Sequence, residues 1–306
     1  MTVAVTDAGR GIAAATAPAS TVRGRRARQL RRWKLAGALG VALLLLIWTL
    51  VPIYNIVMVS LESKGDVFTN TIWPDAPSAD SFWIVITQGY WYLEYFWEQF
   101  GNSAYIGLGT VFFTLAIGSL ASFAIGRMRV RYGWLLSNAA LMTYVIPASF
   151  LAIPFYRIMQ IYGLTDNLWS VIAAEVTFAT PYAIFIFHQY GVSIPIELDE
   201  AARIDGASPG QVYWKIYLPL MAPALVAVGT YALLLAWNEY LYQFLLLSSK
   251  ESMSVPVALA QFFNSDEAPW NYMMATAIVY SIPPVAIYYA FRRRMSAGLT
   301  MGGVKG

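Results

Sequence analysis

The sequence predicts an all-α integral membrane protein with six transmembrane helices. Three observations carry this. Of 306 residues, 58% are hydrophobic and only 12% charged, about half the charge of an ordinary soluble domain. Six long apolar runs follow one another, each near the ~20 residues that a bilayer-spanning helix needs. The basic residues gather in every second connection and at the chain ends, on one side of those runs. Short alternating segments, the mark of a membrane barrel, are not present, and lipid leaves helices as the remaining way to satisfy the backbone.

The spans read in order as residues 35–61, 99–126, 132–156, 168–190, 219–247 and 268–291. The fourth carries Glu175 and the fifth Glu239. Orientation follows from Lys and Arg, which favour the cytoplasmic side. Of 20 such residues, all but Lys64, Arg157 and Lys250 fall in the N-terminal segment, in the connections between spans two and three and between four and five, or at the C-terminus. Both ends are therefore expected in the cytoplasm. Residues 1–33 read as a disordered basic cytoplasmic tail, a composition that also suits a transit peptide. The first span then takes 34–61, an acidic and Trp-rich extracytoplasmic segment 62–98, a core of five spans 99–293, and a second cytoplasmic tail 294–306.

Composition excludes several classes. There is no cysteine and a single histidine, His188, so disulfides, thiol catalysis and Cys- or His-rich metal sites are absent. The net charge of +3 sits at the chain ends rather than on a folded surface, which is no nucleic-acid signal. No catalytic residues, metal site or phosphate-cradling loop can be assigned.

Within the spans, Gly118, Ser122 and Gly126 recur every fourth residue, a spacing that lets helices approach closely in lipid. Pro147, Pro154, Pro181, Pro223, Pro283 and Pro284 interrupt the apolar runs and predict kinks. Acids at membrane depth are costly and normally face a cavity or a partner. Trp237, Asn238, Glu239 and Tyr240 form a polar patch with aromatic walls, suited to a polyhydroxylated solute on a substrate path. A helix–helix hydrogen bond is the plainer reading of the same residues.

The stretch from Pro195 to Pro219 reads as a helix–turn–helix outside the membrane. Pro195 suits a first helical position. Glu197, Asp199 and Glu200 fall in early turns and Arg203 near the end, as the helix dipole favours. Gly206 can take the left-handed conformation that ends a helix. Ser208-Pro209-Gly210-Gln211 reads as a capping box with proline at the first position. The second helix is expected to end at Pro219.

This stretch resembles the EAA motif of ABC importer permeases: Glu200, Ala201, Ala202, Gly206, Ile216, Leu218 and Pro219 stand at every spacing of that pattern. Seven fixed positions match by chance with probability on the order of 10⁻⁸ per start. The Ala236-Trp-Asn-Glu239 run and the tail Gly298 to Gly306 are similar to those of carbohydrate importers, and the tail to that of the smaller permease subunit of maltose-type systems. Gly210 departs from a family that often carries a large aromatic there.

The resemblance implies a type I ABC importer permease fold with a cytoplasmic coupling helix, in the bacterial inner membrane. Glu200, Ala201, Ala202, Arg203, Asp205 and Gly206 would seat in a cleft of an ATPase dimer. Gly298, Leu299, Thr300, Gly302 and Lys305 would contact the same ATPase. A second permease chain, an extracytoplasmic sugar-binding protein, lipid and the sugar complete the implied partners; ATP and Mg would be bound by the ATPase, leaving no cofactor in this chain. The alternative is a secondary transporter or channel that uses Glu175 or Glu239 without an ATPase.

Overall fold

The computed structural model describes residues 19–63, 72–128, 130–264 and 269–300, with the helical backbone at 19–30 and 293–300 given without its side chains. Every regular element among these residues is helical. Among the described residues, four helices are long and apolar enough to cross a membrane, and two bent helix pairs bring the number to as many as six.

Residues 1–55 and 56–306 form two compact units. The first is described by one helix, α1 (Ala19–Ser60), which runs on into the second unit. Its apolar run, with Leu44, Ile47 and Trp48 exposed, gives it the composition of a lipid-facing span. The helix begins at Ala19, ahead of the apolar span Arg31–Ser60, so residues 19–33, expected as part of a disordered tail, are helical. Residues 1–18 lie outside the described residues.

The second unit is the bundle. A short α2 (Asp80–Ile86) leads to α3 (Phe96–Arg127), which pairs with α6 (Leu168–Val192) as the main helix contact. Glycines explain how closely they pack. A Cβ at Gly118 would stand 2.8 Å from the Ala183 Cβ, and one at Gly109 2.8 Å from Ile172 Cδ1. The Ala183 Cβ cannot yield, so the contact at Gly118 requires glycine, while at Gly109 the Ile172 side chain would have to shift.

Between them, α4 (Gly133–Met142) and α5 (Ala148–Ile161) form a span broken by 96°. The break falls at Ile146–Pro147, where Ile146 is extended (φ −89°, ψ 117°), as a residue before proline prefers. The third span, where Pro147 and Pro154 were expected to introduce kinks, is thus two half-helices. Of the six prolines expected to kink the runs, Pro154, Pro181, Pro283 and Pro284 lie inside helices.

After α6 come α7 (Glu197–Ile204), α8 (Pro209–Val212), a π-helical turn Tyr213–Tyr217 and α9 (Leu218–Leu220). α10 (Ala222–Asn238) then leaves at 76° to the segment 209–220. The turn comes at Met221, so helix continues past Pro219 instead of ending there. α11 (Leu241–Leu246), α12 (Val255–Gln261) and α13 (Trp270–Thr300) complete the unit. α13 runs through Thr300, so the expected cytoplasmic tail from residue 294 begins as helix.

Three buried clusters fill the bundle. One joins Phe96, Trp237, Phe262 and Tyr280; one Ile106, Ile172, Ala236 and Tyr242; and one Phe123, Phe187, Tyr213 and Tyr217. The last supports the α7–α8 loop. At the opposite end Asp166, in the turn before α6, holds a second loop in place. Its Oδ1 accepts the Ser248 amide at 2.8 Å, the Ser249 amide at 3.1 Å and the Ser252 hydroxyl, while its own amide donates to the Leu246 carbonyl.

Candidate functional site

The loop between α6 and α10 is built by local rules first. Gly206 has φ +86°. Its amide donates to the Arg203 carbonyl at 3.0 Å, and the Ala207 amide to the Ala202 carbonyl at 2.9 Å. This is the paired closure of a Schellman helix end, with Ala202 and Ala207 as its apolar contact. Both alanines pack on the cluster of Phe187 and Tyr213. The next helix is closed by a capping box: the Gln211 amide donates to Ser208 Oγ at 3.3 Å, and the Ser208 amide to Gln211 Oε1 at 2.8 Å. Pro209 occupies the first turn. Pro195 does not start α7, which begins at Glu197 behind an uncapped Ile196.

Contacts distant in sequence then fix the loop to the bundle. Arg127, the last residue of α3, donates through Nη2 to the carbonyls of Gly191 at 3.1 Å and Ile194 at 2.8 Å. Its Nε lies 3.4 Å from Asp199 Oδ2, with both side chains almost fully buried. The same guanidinium sits 5.6 Å from the Tyr217 ring centre. The Tyr217 hydroxyl meets Ser122 at 2.9 Å and the Tyr213 hydroxyl meets Ser119 at 2.8 Å. A Cβ at Gly191 would stand 2.8 Å from the Tyr217 hydroxyl. One cation therefore ties together α3, the end of α6, α7 and the π-helical turn. A local widening of this kind is often found at functional positions.

What remains exposed is the tip. Glu200, Ala201, Arg203, Asp205 and Gly206 are all exposed, and Ala202 is half-buried beneath them. Ile204 is 87% exposed and Trp214 67%. The structure thus gathers the six loop residues singled out from sequence on one small protrusion. Arg203 also donates to the Arg127 carbonyl at 3.4 Å. Gly210 stands in open space, so its missing aromatic leaves no hole in the loop.

The residues that sequence reasoning missed here are Arg127, Asp199, Tyr213 and Tyr217. Arg127 reads as a topology charge and Asp199 as a helix-dipole acid. Their pairing spans 72 positions, and no local spacing connects them.

The second feature is a cavity of about 470 Å³ that forms an open cleft on the bundle. The break at Ile146–Pro147 and the break between α10 and α11 both open onto it. Glu239 is extended there (φ −72°, ψ 135°). Its carboxylate accepts the Tyr242 amide at 2.9 Å and the Gln243 amide at 3.1 Å, closing the start of α11. Glu175, Tyr144, Tyr231 and Thr177 share the lining.

The four residues expected along a substrate path part company. Glu239 lines the cavity. Trp237 faces away, stacked on Tyr280 at 4.9 Å with its indole N–H on the Tyr280 carbonyl at 3.2 Å. The Asn238 amide donates to the Leu234 carbonyl at 2.8 Å, and Tyr240 stacks on Phe244 at 5.5 Å. The tail residues Gly298, Leu299 and Thr300 continue α13 as backbone helix. Gly302 and Lys305 lie outside the described residues. His188 is half-buried beside Gly126.

Broken spans that flank an open cleft, joined to a protruding loop, have the architecture of a polytopic membrane protein. Residues 114–300 match the family model described as binding-protein-dependent transport system inner membrane component. The chain is 34% identical over 282 residues to the trehalose transport system permease protein SugB of Mycobacterium tuberculosis, covering 92% of this chain and 99% of that one. It is 31% identical to the inner membrane ABC transporter permease protein YcjP of Escherichia coli, over 87% of this chain and 95% of that one. A crystal structure of a bacterial ABC transporter involved in the import of the acidic polysaccharide alginate shares the fold, with a TM-score of 0.72 at 22% identity over 87% of this chain and 97% of that one. The chain belongs to the family of binding-protein-dependent transport system inner membrane components. It is a multi-pass inner-membrane permease subunit of an ABC importer, a transport component rather than an enzyme.

Proposed function

We propose that this chain carries a sugar across the bacterial cytoplasmic membrane, driven by a separate ATPase that grips the α7–α8 loop. The observation that carries the proposal is the contrast within that loop: its base is locked by the Arg127–Asp199 pair and its tip is exposed. A stiff base and an open tip make a lever, which passes on a partner's motion without absorbing it. Its rigidity comes from helix ends closed by side chains and backbone.

In this reading both termini are cytoplasmic. An ATPase dimer holds ATP and Mg, a second permease chain completes the channel, and a binding protein delivers the sugar from outside. Glu200, Arg203 and Asp205 offer charge to the ATPase cleft, and the tail through Gly298, Leu299, Thr300, Gly302 and Lys305 contacts the same partner. Relatives with sugar names, such as the trehalose permease, support a sugar as cargo.

The first experiment is co-purification of the tagged chain from gently solubilised membrane. An ATPase and a second permease are expected with it, and a chain purified alone sinks the proposal. Within that complex, Glu200→Ala is expected to leave assembly intact and to lower sugar-stimulated ATP hydrolysis about tenfold, equivalent to ~1.4 kcal/mol. Wild-type stimulation in the variant would remove Glu200 from the coupling contact.

A further inference from the structure

We propose that α2 is a membrane-surface anchor that lays Trp83, Ile86, Trp91 and Trp97 among lipid headgroups, at the end of the bundle opposite the α7–α8 loop. In the orientation proposed above this is the extracytoplasmic surface. The short helix has two unlike faces. Ser81 and Val85 are buried where α2 packs on α13. Trp83 is 67% exposed and Ile86, one turn on, 47%. Trp91 and Trp97 follow with exposed rings. So much aromatic surface facing water alone would be costly, and a patch of this kind marks an interaction site.

The depth of α2 is set by what holds its two ends. The Trp97 indole N–H donates to the Ile86 carbonyl at 2.9 Å, so the end of α2 stands level with the first turn of α3. Near the other end Asn271, buried in the first turn of α13, donates to Ser81 Oγ and to the Glu62 carbonyl, each at 3.2 Å. Both ends of α2 are thus tied where spans end or begin, at Ser60, Phe96 and Trp270, and the helix lies along the surface between them. The length of α3 gives the height of that surface. From Gln99 to Gly126 it carries 28 uncharged residues, about 42 Å of helix at 1.5 Å per residue. A bilayer with its headgroups is about 40–45 Å thick. Glu98 and Arg127 then stand at the two headgroup edges, and Trp97 and α2 fall in the layer at one of them. Tryptophan is favoured at that depth, and a helix with one apolar face lies flat there. The apolar face also continues through Trp97 into the exposed stripe of α3 at Tyr105, Leu108 and Phe112. Asp80, in the first turn, is the one charged residue of α2, which gives a soluble partner little charge to recognise.

The test is the depth of a fluorophore on that face. The chain has no cysteine, so Trp83→Cys carries a single bimane once the other subunits are made cysteine-free. The complex is placed in phosphatidylcholine nanodiscs, with or without a nitroxide on the lipid headgroup, and iodide serves as the quencher from water. The headgroup nitroxide is expected to remove most of the bimane emission and iodide little of it. Ile86→Cys, on the same face, is expected to give the same result and keeps the test open if Trp83 is needed for folding. Iodide quenching without headgroup quenching would put the face in water and overturn the anchor. A label that neither quencher reaches overturns it too, because another chain then covers α2. Headgroup quenching that disappears when a sugar-loaded binding protein is added reassigns the face to that protein. The reading does not depend on whether an ATPase co-purifies, so failure of the anchor and failure of the importer mechanism are told apart.

Discussion

Asp199 and Glu175 are both carboxylates only 1% exposed, and their surroundings answer them in opposite ways. Asp199 faces the guanidinium of Arg127, which also takes two backbone carbonyls and a tyrosine ring. Neither Asp199 oxygen has a hydrogen-bond partner, so what Arg127 supplies is charge. Glu175 faces a cavity, a second acid and no cation. The loop end of the molecule is compensated and the cavity is left open. Arg127 fixes the base of the loop in one geometry, whereas the fold leaves a Glu175 oxygen unmet, so burial is compensated at Asp199 and not at Glu175.

The comparison breaks most sharply at Arg127. Arg127→Ala turns Asp199 into a buried acid without compensation, and the expected loss is about 3–5 kcal/mol. It should appear as a large drop in the thermal midpoint of the purified complex, and Arg127→Met combined with Asp199→Leu should recover most of it. A mild single variant would show that the pair does not hold the loop. Glu175→Met runs the other way. Removing an unmet polar group should raise stability by about 1–3 kcal/mol; a less stable variant would mean that Glu175 is compensated.

Smaller effects test the loop's local chemistry. Gly206→Ala meets open space but keeps φ +86°, and the conformational cost alone is about 1–2 kcal/mol. Ser208→Ala removes one half of the capping box and should cost about 1 kcal/mol. Hydrogen exchange at 206–212 reads both, and unchanged protection would show that the tertiary anchor overrides the caps.

The smallest effect is at Asp166. Partial burial pushes its carboxyl up, but the Ser252 hydroxyl and the Ser248 and Ser249 amides outweigh this and hold it well below the ordinary value of 3.8. A depressed carboxylate stabilises above the unfolded value, and its contribution is lost as pH falls through the folded one. Protection of the Ser248 and Ser249 amides should therefore persist from neutral pH down to the ordinary carboxylate range and fade only below it. Loss near pH 6 would contradict the hydrogen bonds seen there.

The α7–α8 loop was legible because its signals are local. Gly206, Ser208 and Gln211 act within a few residues, and the structure uses each as its spacing suggested. Gly118 was legible for the same reason, since small residues on one helix face mark close approach whatever lies opposite. The breaks were harder. Pro147 breaks its span by 96°, whereas Pro154, Pro181, Pro283 and Pro284 remain within helices. Proline removes a donor everywhere, and only neighbouring packing decides whether the helix bends or tolerates it. Trp237 and Glu239 are two residues apart, yet one is buried against Tyr280 and the other lines the cavity. The helix ends between them, and no periodicity across that point can be read.

The sequence by itself determined the membrane class, the succession of apolar runs, the bias of basic residues and the capped loop with its exposed acidic tip. These depend on composition and on interactions within a few residues. Only the tertiary structure decided that Arg127 reaches Asp199, that Tyr217 fits over Gly191, and that Glu175 and Glu239 open on one cavity. Each of those depends on which helix faces come together, and that is set by packing among segments far apart in the chain.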